Sequence, residues 1–271
     1  MKPIIIFFTL LSTCIHAFAS KVDTLNVFSE LMQKNIKAVV VLPDSYPNHK
    51  DFPALYLLHG YSGYYNNFIE RVPKIKSLAD QYQVIIIMPD GSPNSWYWDS
   101  PIDDKSQYET FISKELIAYI DKEYKTGKNR NHRAITGLSM GGQGALFLAF
   151  RHQDIFGAAG SMSGGLDIRS FPLSWEMKDK LGSYAENHQR WDEYAVINQI
   201  YRLTPKSLRL IIDCGVSDFF YQVNKNMHQK LLERNIPHIY IERPGSHSWE
   251  VWRDAIDYQM LFFNKFFQKN K

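Results

Sequence analysis

Cysteine is nearly absent from the 271 residues: there are two, Cys14 and Cys214. A disulfide framework and a cysteine-ligated zinc site both need cysteines in pairs or groups at suitable spacing, so neither is expected. No H-E-x-x-H occurs, and the nine histidines are scattered rather than grouped at ligand spacing, so no metal or other cofactor is expected either. An excess of one sign of charge is also lacking. The formal net charge is +3, with lysine and arginine dispersed apart from short clusters such as 125–133, which leaves no electrostatic footprint for nucleic acid. After the first twenty positions no apolar run approaches the roughly 20 residues that cross a bilayer, and there is no internal repeat or low-complexity tract.

The first twenty positions differ from the rest. Lys2 precedes the apolar run IIIFFTLLSTCI, and Ala17-Phe18-Ala19 supplies an A-x-A site, which together describe a secretory signal peptide over 1–19 and export to the periplasm or beyond the cell. Cys14, in LSTC, offers a second reading as a lipid-anchored cysteine, although Thr13 is bulkier than the small residue such sites carry. Cleavage after Ala19 removes Cys14 and leaves Cys214 at the end of an apolar strand, where a cysteine behaves as a small hydrophobe.

The whole chain is 45% hydrophobic, and the remaining 20–271 is long enough for one large core. Strands are expected at about 24–28, 36–42, 54–58 and 84–88, and helices at about 67–82 and 108–124. Strands that alternate with helical segments predict an α/β fold, with a mostly parallel, doubly wound sheet and helices on both faces.

One pentapeptide carries the most chemistry. GLSMG, 137–141, follows the strand-like RAIT and precedes the small and apolar GQGALFLAF, which is the G-x-S-x-G pattern of a serine on a sharp strand-to-helix turn. A serine hydroxyl is a poor nucleophile at neutral pH, so Ser139 needs a histidine base and a carboxylate to orient it, in the chain order Ser, acid, His. Of the late histidines, His228 falls within a helix and His238 opens a strand. His247 lies in the loop PGSHSW, from which an imidazole can reach a neighbouring turn. For the acid, Asp213 belongs to the strand SLRLIIDCG, whereas Asp218 follows the strand end, where functional groups of open α/β sheets collect. Helix capping is the alternative job for Asp218. The backbone N–H groups of Met140 and Tyr61 are the expected oxyanion donors, Tyr61 following the strand that ends in His59-Gly60. His59 is read as shaping that loop.

Two irregular stretches are expected to face the substrate. The loop 90–101, DGSPNSWYWDSP, presents Trp96, Tyr97 and Trp98, which are taken as substrate contacts that stack on a sugar or a phenolic acyl group; pinning the loop to the body is the alternative. The segment 165–206, with Trp175, Tyr184, Trp191 and Tyr194, reads as a lid-like insertion or as a helical decoration with its own small core.

LLHGYSG, MPDGSPNSWYWDSP, YETFISKELIAYID, ITGLSMGGQGAL, CGVSDFFYQVN and PGSHSWEVW together resemble the Putative esterase family, the esterase D-like α/β-hydrolases, over about 25–267. The relatives include tributyrin esterases, feruloyl and acetyl xylan esterases, S-formylglutathione hydrolases and mycolyltransferases. The resemblance implies a single α/β-hydrolase domain over 20–271, no cofactor, and Ser139, Asp218 and His247 as nucleophile, acid and base. Together with the signal peptide it implies an exported serine esterase acting on a small-molecule or polysaccharide-linked ester, of the feruloyl or acetyl type. An S-formylglutathione hydrolase or short-chain carboxylesterase is the alternative, the former weakened by the signal peptide. An inactive glycan-binding relative is the alternative of another class.

Overall fold

The computed structural model describes residues 21–269. The signal peptide over 1–19 and the anchoring alternative at Cys14 lie outside the described residues.

Two long strands open the fold as an antiparallel pair, β1 (Lys21–Ser29) and β2 (Lys34–Leu42). Next come β3 (Ala54–Leu58), helices α1 (Asn67–Arg71) and α2 (Ile75–Tyr82), and β4 (Ile85–Pro89). The expected single helix over 67–82 is two helices, because Val72 leaves helical geometry at φ −123°, ψ 80° ahead of Pro73, which disfavours a helical residue before it and lacks an N–H. The helical stretch after the aromatic loop begins as α3 (Tyr108–Thr110), passes through a π-helical turn (Phe111–Leu116) and ends as α4 (Ile117–Glu123). Then follow β5 (Arg133–Gly137), α5 (Met140–Arg151), β6 (Ala158–Met162), the short helices α6 (Lys178–Leu181) and α7 (His188–Tyr194), β7 (Arg209–Gly215), α8 (Tyr221–Glu233), β8 (His238–Arg243) and α9 (Trp249–Lys269).

All eight strands form one sheet in the order β1-β2-β4-β3-β5-β6-β7-β8. The pairs β1/β2 and β2/β4 are antiparallel, and every pair from β4 to β8 is parallel. Strands β3, β4, β5 and β6 are buried at every residue, as a parallel sheet covered on both faces requires. Successive side chains go to opposite faces. Tyr56, Ile87 and Ile135 pack with Phe111, Leu116 and Phe147 of the α3–α5 layer, while Leu55, Leu57 and Ile86 pack with Phe68, Leu78, Ile256 and Phe263 of α1, α2 and α9.

The segment 165–206 joins the first of these layers. Met177, Leu181, Trp191 and Ile200 are buried in the same cluster as Phe147, and Ile197 N–H donates to the Leu166 carbonyl at 3.0 Å. Among the described residues no helix is long and apolar enough to cross a membrane.

Candidate active site

The turn between β5 and α5 holds Ser139 at φ 54°, ψ −118°, a left-handed region that costs a non-glycine residue about 1–3 kcal/mol. Neighbouring hydrogen bonds over-determine it. Ser139 N–H donates to the Met162 carbonyl at 2.9 Å, Gly141 N–H to Leu138 at 2.7 Å, and Gln143 N–H to the Ser139 carbonyl at 3.0 Å. Gly141 has no room for a side chain, since a Cβ would stand 2.3 Å from the Leu58 carbonyl oxygen and 2.5 Å from that of His59.

Three loops at the carboxyl ends of β5, β7 and β8 bring Ser139, Asp218 and His247 together. His247 Nε2 lies 2.9 Å from Ser139 Oγ, and its Nδ1 lies 2.8 and 3.0 Å from the two Asp218 oxygens. An ionised carboxylate only accepts, so Nδ1 carries the proton and the Nε2 lone pair faces the hydroxyl. Asp218 Oδ1 also accepts from Phe220 N–H at 2.7 Å. It therefore caps the turn into α8 as well, and that bond helps to fix the carboxylate. The Asp218 side chain is fully buried and that of His247 is 14% exposed.

The rival residues are engaged elsewhere. Asp213 is buried and held by Arg243, whose Nε lies 2.9 and 3.0 Å from its two oxygens; burial raises its pKa and Arg243 opposes the rise. His228 Nδ1 meets His238 Nε2 at 2.7 Å, beside Tyr240 of β8. His59 is buried, with Nδ1 donating to the Gly60 carbonyl at 2.8 Å and Nε2 accepting from Gly91 N–H at 2.7 Å. Burial lowers its pKa, so the ring is neutral and both nitrogens are used in holding the loop 59–63. Among the described residues, the N–H groups of Met140 and Tyr61 have no acceptor.

Ser139 and His247 open onto a cleft of about 580 Å³. Six aromatic side chains stand on its walls among glycines, serines, Asn67 and Arg71. Phe219 lies 4.2 Å from the His247 ring and is stacked on Trp175 at 5.5 Å, and Trp252 meets His247 edge-on at 4.9 Å. Tyr61, Tyr64 and Trp249 complete the aromatic lining. Of the four aromatic residues singled out in the insertion, Trp175 is the one that reaches this cleft.

The expectation that Trp96, Tyr97 and Trp98 contact substrate is corrected here. They are 1%, 0% and 0% exposed. Trp96 stacks on Trp98 at 5.5 Å, Trp98 meets Tyr194 edge-on at 5.5 Å, and the Tyr97 hydroxyl donates to the His59 carbonyl at 3.1 Å. These rings pin the loop to the body and leave no face for a ligand. Phe219, Trp249 and Trp252 went unremarked in the sequence, although Phe219 adjoins Asp218 and the two tryptophans closely follow His247.

Comparisons with known proteins agree with this architecture. The profile of the Putative esterase family matches residues 29–263. An acetyl esterase of Caldicellulosiruptor saccharolyticus is 28% identical over 255 residues, covering 86% of this chain and 94% of its own. A ferulic acid esterase structure superposes with a TM-score of 0.80 at 30% identity, over 92% of this chain and 99% of its own. The S-formylglutathione hydrolase of Staphylococcus aureus gives 0.78 at 24% identity over 90% and 99%, a likeness of fold alone. The fold is that of the α/β-hydrolases.

Proposed function

The chain belongs to the Putative esterase family and is a carboxylic ester hydrolase; from that premise we propose that it works through an acyl-serine, with Ser139 as nucleophile, His247 as base and acid, and Asp218 orienting the imidazole. The observation that carries this is the continuous relay from Ser139 Oγ through His247 to Asp218, with contacts of 2.9 and 2.8 Å. His247 takes the hydroxyl proton as Oγ attacks the ester carbonyl. The N–H groups of Met140 and Tyr61 receive the developing oxyanion, each worth about a hundred- to a thousandfold in turnover. His247 then protonates the leaving alcohol, and later draws a proton from the water that releases the acid.

We further propose that the protein is exported and removes feruloyl or acetyl groups from carbohydrate. The A-x-A segment, the aromatic cleft and the names of the acetyl and ferulic acid esterase relatives support this. A fluorophosphonate should label the wild-type protein at Ser139 and leave Ser139→Ala unlabelled; an unlabelled wild type would instead fit a glycan-binding protein. Among acetyl, feruloyl and longer-chain esters, kcat/KM should favour the first two, and a preference for long chains refutes the carbohydrate assignment. Mass spectrometry of the exported protein should place its first residue at Ser20.

A further inference from the structure

Among the described residues that line the catalytic cleft, the one charged side chain besides the relay is that of Arg71 at the end of α1; the carboxylate of Glu176, outside the lining, acts on the Tyr61 hydroxyl. Among the described residues no carboxylate lies within 4.0 Å of the Arg71 guanidinium. Two acids on the neighbouring helices have partners of their own. Glu70 accepts from the Tyr64 hydroxyl at 2.5 Å and from the Asn66 amide at 2.8 Å, and Asp257 is paired with Lys74 at 2.5 Å. A second arginine stands against the same helix end: Arg253 Nε donates to the Arg71 carbonyl at 2.7 Å, and it too has no carboxylate within 4.0 Å.

Exposed cations are commonly balanced by an acid in direct contact, and neither guanidinium has one. A single-sign charge on the wall of a cleft attracts ligands of the opposite sign and raises their local concentration. Guanidinium presents paired donors that match a carboxylate. Accepting the Ser139 mechanism proposed above, we infer that the preferred ester carries a carboxylate, on its acyl or its alcohol part, and that Arg71 pairs with it while the ester carbonyl lies at Ser139. Arg71 is thus a specificity-determining residue.

The test measures kcat/KM of the mature enzyme on two matched pairs. In the acyl arm, the 4-nitrophenyl monoester of adipic acid is compared with 4-nitrophenyl hexanoate; in the alcohol arm, 4-acetoxybenzoate is compared with its methyl ester. The readout is the ratio of charged to neutral substrate and its change on substitution, which removes differences in intrinsic reactivity. In one arm Arg71→Gln should lower the ratio about fivefold, as should about 0.5 M NaCl on the wild type, while Arg71→Lys should keep most of it. The arm that responds identifies which part of the ester bears the anion. A ratio unmoved by Arg71→Gln in both arms overturns the inference while leaving the serine mechanism standing. Activity surviving in Ser139→Ala would overturn the mechanism itself.

Discussion

Asp218→Asn tests the relay by changing one group and reversing the position of a proton. In the wild type, Asp218 accepts from Phe220 N–H at 2.7 Å and from His247 Nδ1 at 2.8 Å. Asparagine keeps the first bond through its carbonyl and then turns its NH2 toward Nδ1. Two donors cannot share that contact, so the imidazole moves its proton to Nε2, which donates to Ser139 Oγ where it formerly accepted. The base is lost while the shape of the site is kept. A fall of about 10⁴ in kcat follows for a triad in the wrong tautomer, or about 5.4 kcal/mol at 1.36 kcal/mol per decade. The assay is hydrolysis of 4-nitrophenyl acetate, with urea denaturation to show that the fold persists. Asp213→Asn is the control, because Asp213 lies five residues away but serves Arg243. It leaves a largely buried guanidinium without its partner, at a cost of about 3 kcal/mol in stability, and kcat of the folded enzyme should stay within about threefold. Asp218→Asn remaining within tenfold of wild type, or the two substitutions exchanging effects, would refute the assignment.

Three other outcomes follow from the packing and the titration. Gly141→Ala drives a Cβ to 2.3 Å from the Leu58 carbonyl and should cost about 3 kcal/mol or more; thermal unfolding unchanged from wild type would contradict the account of the turn. Trp98→Ala should lower stability by about 3–5 kcal/mol and shift the ratio of feruloyl to acetyl kcat/KM less than Phe219→Ala, whose side chain lines the cleft itself; the reverse order would restore the aromatic loop as a contact surface. Burial lowers the pKa of His59 and His238, so the folded state favours the neutral rings. The unfolded chain gains protons first as pH falls below about 6.5, so stability declines from there downward. The urea midpoint should drop between about pH 7.5 and 5.5 and drop less in His238→Gln; identical profiles would exclude a part for His238.

The placement of Ser139, Asp218 and His247 was legible because each follows a strand end, and strand ends are local signals: an apolar run that stops at glycine, serine or proline. Asp213 and Asp218 could be separated for the same reason, one inside the run and one beyond it. The break at Pro73 was also visible, but a continuous helical pattern on either side outweighed it. The cleft wall was harder to read, because it is assembled from distant segments around residues 60–71, 138–139, 175, 219 and 247–252, and no local pattern declares which of their side chains will share one surface.

The aromatic loop shows what decides such cases. Tryptophan and tyrosine suit a binding wall or a core equally well, and the choice depends on what comes to cover them. Here the loop is drawn inward by the bridge Asp99↔Gln107 and by Tyr108 N–H donating to the Trp98 carbonyl at 2.9 Å. The insertion then covers it, setting Tyr194 against Trp98 and Trp175 6.1 Å from Trp96. Trp96 Nε1–H reaches the Trp175 carbonyl at 3.4 Å, and Asn94 donates to Glu176 at 2.8 Å. Trp175 is thereby left with Phe219 at the edge of the covered region, facing Ser139. The packing that withdraws Trp96 and Trp98 from the surface is therefore what leaves Trp175 on the cleft wall, and loosening the 94–176 contacts should disturb that wall before it disturbs the relay.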